Sequence, residues 1–204
     1  MAAERGMSGV TRRDALRTMG ASVVGAASAL WVNDLSVLAQ QQAAHAHLLA
    51  VTQQGVGAWT PAVLSSPQLQ TVGTLVELII PTTGTPGAKA ALVDRFVDSV
   101  LTTASPAVRD RFLTGLDWLD RRSTALFNVP FDRASPEQQT DLLTRLSREP
   151  STEDAAGVQF FTAIKSMTIT GYYTSEIGLR QELGDDGVLV SRSFPGCTHP
   201  EHQV

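Results

Sequence analysis

Three Ser-Pro pairs divide the middle of this chain into blocks, and each pair has the chemistry of a helix start. They are Ser66-Pro67, Ser105-Pro106 and Ser135-Pro136. A serine hydroxyl accepts from an orphan backbone N–H, and proline suits the first helical turn, where a missing N–H costs nothing. Proline also holds the residue before it in the extended geometry a cap needs. In Ser135-Pro136-Glu137-Gln138 the glutamine stands where a capping box requires it.

The apolar spacing within the blocks agrees. Leu69, Val72, Val76 and Ile79 form one stripe. Leu92, Phe96 and Val100, beside Val93, Val97 and Leu101, form a second. Val108, Phe112, Leu116 and Leu119 form a third, and Leu142, Leu143 and Leu146 a shorter fourth. Phe161, Ile164, Thr168 and Tyr172, with Phe160 and Met167 alongside, form a fifth. Steps of three and four put such residues on one helical face. No convincing run alternates with period two, and Val188-Leu189-Val190 is too short to build a sheet. The expected fold is therefore all-α: an irregular bundle of about five helices with an extended C-terminal arm. With 204 residues, 43% of them hydrophobic, the chain can bury one such core. The arm starts at about residue 184, where Asp185-Asp186-Gly187, Pro195, Gly196 and Pro200 break helical pattern.

The N-terminus has a different organisation. Arg12 and Arg13 precede an uncharged, Ala- and Gly-rich stretch from Met19 to Trp31. That stretch is shorter than the roughly 20 residues of a membrane span. A charged region, an apolar region and small residues before a cut describe a signal peptide, and the paired arginines select its twin-arginine form. An amphipathic surface helix fits less well, because Val23 to Leu30 lacks a polar face. Residues 1–39 are read as this signal, with a cut after Val37-Leu38-Ala39 and a weaker alternative after Ala27-Ser28-Ala29. Residues 40–66, with Gly55, Gly57 and Pro61, are read as a linker holding a short helix near His45 to Val51. Residues 67–204 then form the helical domain. The expected location is the periplasm or the periplasmic face of the inner membrane, reached through the twin-arginine translocase.

Candidate chemistry is sparse. The net charge of -4 gives no basic footprint for nucleic acid. The single cysteine excludes an intrachain disulfide. The 4 histidines are His45, His47, His199 and His202, so none lies within the bundle to act as a general base. Glycine-rich dinucleotide motifs, a P-loop, H-E-x-x-H and C-x-x-C-H are all missing from the sequence. No catalytic residue and no cofactor-binding residue is expected in this chain. Cys197, His199 and His202 are weak metal-ligand candidates at the tail, since thiolate and imidazole suit zinc or copper. Glu77 reads as a solvated carboxylate rather than a buried one, and Lys165 as a snorkelling or paired ammonium. Pro81-Thr82-Thr83-Gly84-Thr85-Pro86-Gly87-Ala88 joins two helices. Gly84 and Gly87 permit positive φ there. A phosphate cradle is the sharper reading of this loop, and a shaped docking loop the preferred one.

These pieces resemble a known family. Glu77 through Ala88 resembles the opening motif of the gluconate 2-dehydrogenase subunit 3 family. Phe160-Phe161 through Lys165 to Gly171-Tyr172-Tyr173-Thr174-Ser175-Glu176-Ile177-Gly178 is similar to its second motif, and Phe194-Pro195-Gly196-Cys197 to its closing arm. The resemblance covers roughly residues 66–200. It implies a non-catalytic small subunit of an exported sugar or sugar-acid dehydrogenase. The implied partner is a large FAD-binding subunit of the glucose–methanol–choline oxidoreductase type, in some complexes with a cytochrome c subunit carrying haem c. The small subunit would assist maturation and carry the signal-less flavoprotein through the translocase. Pro81, Pro86, Gly87, Tyr172, Tyr173, Phe194, Pro195 and Cys197 are the expected contacts with that partner. The competing reading is a periplasmic metal-binding or structural helical protein that uses the C-terminal Cys/His cluster.

Overall fold

The computed structural model describes residues 30–50, 59–148 and 152–186. Among them are six α-helices: α1 Leu30–Ala50, α2 Ser66–Ile79, α3 Val93–Thr103, α4 Pro106–Phe127, α5 Pro136–Arg148 and α6 Ala155–Tyr173. Short 3-10 turns at Phe131–Arg133 and Thr152–Asp154 connect the later helices, and a π-helical segment, Ile177–Glu182, follows α6. The described residues contain no strand, so the all-α expectation holds. Helix α6 has a broad apolar face with nine buried residues, and such a helix belongs in the middle of a bundle. It contacts each of the other five helices. Val158, Phe160, Ala163, Ile164, Met167 and Tyr172 are all buried.

The helix starts follow the capping chemistry with one shift. Ser65, rather than Ser66, caps α2: its hydroxyl accepts from Gln68 N while its own N–H donates to Gln68 Oε1 at 2.9 Å. Pro67 therefore sits one position deeper in the first turn. Ser105 caps α4, accepting from Val108 N at 3.4 Å. Ser135 and Gln138 form the reciprocal box at α5. The Ser135 hydroxyl also donates to Glu137, which holds that carboxyl below its usual range. The end of α3 is closed from a distance, because Arg109 donates to the carbonyls of Leu101, Thr102 and Ala104. Asn128 ends α4 in the left-handed region at φ 63°.

One expectation needs correction. Leu92 is not part of the α3 stripe: it precedes the helix with φ 57° and is 49% exposed. The turn from Lys89 into α3 takes the left-handed conformation there, which swings the side chain outward. Residues 30–50 span the end of the segment read as a leader and the start of the segment read as a linker. They form one continuous helix, with Trp31, Val32, Leu35, Ala39 and Ala43 on its buried face. The stripe, at four-residue steps from Trp31 to Ala43, begins where the soft apolar run from Met19 to Trp31 ends. Residues 1–29, and so Arg12 and Arg13, lie outside the described residues, as does Val188-Leu189-Val190.

α4 and α6 interlock through paired ring-and-glycine contacts. The Phe160 ring of α6 lies over Gly115 of α4, and the Trp118 ring of α4 lies over Gly157 of α6. A Cβ on Gly115 would meet the Phe160 ring at 2.5 Å and the Phe160 Cβ at 2.7 Å. Phe160 is fully buried against Phe112, with ring centroids 5.2 Å apart, so it has nowhere to turn. Overpacking of this kind costs about 1–3 kcal/mol and exceeds the roughly 1 kcal/mol that alanine adds in a helix. Gly115→Ala should therefore lower unfolding stability by about 2 kcal/mol in urea titration. An unchanged midpoint would show that the two helices stand further apart.

Candidate functional site

The loop after α2 is built around one carboxylate. Glu77 reaches forward along the chain and accepts from Thr82 N at 2.8 Å through Oε1 and from Lys89 N at 3.2 Å through Oε2. Thr82 then accepts at its own hydroxyl from Gly87 N at 2.9 Å. Thr83 N donates to Thr85 O at 3.1 Å, and Ala88 N to Ile80 O at 2.9 Å. The loop thus closes on itself, with its exposed side formed by Thr82, Thr83 and Gly84.

Gly87 is required here for its missing side chain. A Cβ would stand 2.6 Å from Thr82 N and 2.7 Å from each Glu77 carboxylate oxygen. Neither Gly84 nor Gly87 takes positive φ, so the reason expected for these glycines is not the operative one. The concave side of the loop does not offer a phosphate cradle. The N–H groups of Thr82, Thr83, Gly87, Ala88 and Lys89 are taken by Glu77, by Thr82 and by loop carbonyls. An internal carboxylate already occupies the concave side of the loop.

Two anchors from the end of the bundle fix this loop. The Tyr172 hydroxyl, on α6, donates to Pro86 O at 2.9 Å. Thr85 donates to Glu182 of the π-helical segment at 2.5 Å. Ser175 supports that segment by donating to Tyr172 O and accepting from Gly178 N. Two segments far apart in sequence, 77–89 and 172–182, therefore meet at one end of the molecule.

The expected contact residues fall into separate classes. Tyr172 is fully buried and serves the bundle, so its ring offers no surface. Tyr173 is half-buried and meets Tyr172 edge-on at 5.2 Å between centroids. Pro81 and Pro86, on the loop, are half-buried, and Gly87 is buried. Phe194, Pro195, Cys197, His199 and His202 lie outside the described residues. Among the described residues no group of three or more His, Cys, Asp or Glu side chains is placed to hold a metal. No described helix is long and apolar enough to cross a membrane.

Two acidic roles are not apparent from the residue pattern alone. Glu77 is a loop organiser, neither solvated nor a buried acid. Asp98, 2% exposed on α3, accepts from the N–H groups of Ala62, Val63 and Leu64 at 2.7–3.0 Å and so seats the segment before α2. An aspartate between Val97 and Val100 on an apolar stripe is the sequence signal for such a seat. Arg95 covers the Trp59 ring at 4.9 Å and secures the same segment. Lys165 is half-buried over the Phe161 ring at 5.9 Å, and burial pushes its ammonium below the ordinary range.

A family model described as gluconate 2-dehydrogenase subunit 3 matches residues 66–186, more than half of the chain. The match takes in α2 through the π-helical segment, and with them the Glu77 loop and its anchors. No curated protein and no solved structure matches the chain.

Glu77→Gln keeps one acceptor but points an amide N–H₂ at a backbone donor. It should cost about 1–3 kcal/mol, and Tyr172→Phe only about 0.5–1.5 kcal/mol, both measured by urea unfolding. Equal, negligible losses would mean that the loop is not held this way. Lys165 binds its proton less tightly when folded than when unfolded. Its contribution to stability is therefore lowest below the depressed value and rises with pH up to the unfolded value near 10.5. Lys165→Met should flatten that alkaline rise in unfolding midpoints. A rise of undiminished slope in the variant would assign it to another group.

Proposed function

The chain belongs to the gluconate 2-dehydrogenase subunit 3 family, and on that footing we propose that it is the non-catalytic small subunit of an FAD-dependent dehydrogenase complex acting on a sugar or sugar acid. The catalytic partner is a large FAD-binding subunit of the glucose–methanol–choline oxidoreductase type, with a haem c cytochrome as acceptor in complexes that have one. This chain stabilises the flavoprotein during maturation and carries it through the twin-arginine translocase to the periplasm, with Arg12 and Arg13 as the export signal.

The observation that carries this reading is the family match itself, whose span contains the Glu77-centred loop and the segment that anchors it. Physical argument supports a docking role for that end of the molecule. The loop is shaped by its own hydrogen bonds before any partner arrives, so association costs little ordering entropy. Half-buried Pro81, Pro86 and Tyr173 present rigid apolar and aromatic groups of the kind enriched in interface cores. Thr82 and Thr83 supply a polar rim beside them.

Co-expression with the large flavoprotein subunit tests the proposal. The two should co-purify as a yellow complex from the periplasm. Arg12→Lys with Arg13→Lys should leave the complex in the cytoplasm. Dye-linked sugar oxidation by this chain alone, or a flavoprotein that is exported and active without it, would contradict the assignment.

A further inference from the structure

We propose that helix α1, Leu30–Ala50, is a permanent member of the folded subunit, so that any leader cut falls upstream of Trp31 rather than after Ala39. The family match begins at residue 66, so α1 stands outside it. The apolar half of a discarded leader needs only to be apolar. α1 is fitted. Leu35 and Ala39 are completely buried, and Trp31 and Val32 nearly so. These four lie four residues or a helical turn apart and form one seam against the bundle.

Two polar bonds fix the register of that seam. Trp31 Nε1 donates to Gln159 Oε1 at 3.1 Å, and the hydroxyls of Ser36 and Ser166 meet at 2.9 Å. Gln159 and Ser166 are two turns apart on one face of α6, so α1 runs alongside the central helix in the same direction. Side chains paired at two levels define a single docked position, which slipping by one turn would break. α1 also contacts α3 and α4, and so covers the junction of three helices.

A cut after Val37-Leu38-Ala39 would remove Trp31, Val32, Leu35 and Ala39 together. It would open the apolar junction along α6 and leave the Gln159 and Ser166 side chains without these partners. A cut near Ala27-Ser28-Ala29 would leave the whole helix in place. That tripeptide lies outside the described residues and enters only as the sequence alternative. Where the cut falls rests on the export reading above. Whether α1 belongs to the fold does not.

The test uses the full chain, expressed with its flavoprotein partner and recovered from the periplasm. Intact mass and N-terminal sequencing should place the mature N-terminus at or before residue 31. A terminus at Gln40 would overturn the inference and leave the α6 groove to the partner. Thermal midpoints of two variants of the same chain give the second arm. Leu35→Ala should fall by about 5–10 °C, while Val37→Asp, on the exposed side at 52%, should stay within about 1 °C. Identical midpoints for both variants would overturn the inference. Should the chain remain in the cytoplasm with Met1 intact, the export reading fails, and the Leu35→Ala midpoint alone decides whether α1 belongs to the fold.

Discussion

The arrangement depends on a single constraint: α6 carries a broad apolar face, from Val158 to Tyr172, that must be covered. One neighbour cannot cover such a helix, so the other five are distributed around it. Burying Phe160, Ile164, Met167 and Tyr172 removes far more apolar area than any surface pair contributes. The close approach of α4 follows from Gly115 and Gly157, which remove the side chains that would otherwise hold the two helices apart. The placement of α1 follows from the same demand, since it closes the side of α6 that carries Gln159 and Ser166.

The end of α6 links this core to the candidate site. Tyr172 has its ring in the core and its hydroxyl on Pro86 O, so the loop position is set by a residue that cannot move without disturbing the bundle. Glu77 supplies the complementary constraint from within the loop. A turn rich in proline, threonine and glycine thereby acquires a defined shape without regular secondary structure. The result is a rigid contour held up by the bundle, with the half-buried Glu77 carboxylate accepting two backbone N–H bonds from it.

Much of this was legible in the residues. The Ser-Pro pairs mark three helix starts, and steps of three and four mark which faces are buried, because caps and periodicity are local chemistry. The loop's presence was legible too, while its internal wiring was not. Glu77 looked like any carboxylate on a helix, since its partners Thr82 and Lys89 become neighbours only when the loop folds back. Gly87 signalled special geometry, but sequence does not separate a need for positive φ from a need for no side chain. Leu92 fitted the stripe by spacing, and only the left-handed turn before α3 removed it. The segment around residue 31 is ambiguous in principle, because a leader and a buried helix ask for the same composition.

Amide hydrogen exchange of the full chain by itself tests the central claim, that the site loop is preformed by contacts within this subunit. The amides of Thr82, Gly87 and Lys89 are predicted to exchange almost as slowly as those of α6, with no flavoprotein present. Exchange at those three positions at the rate of an open surface loop, slowing only when the flavoprotein is added, would mean that the partner folds the loop, and the account would be wrong.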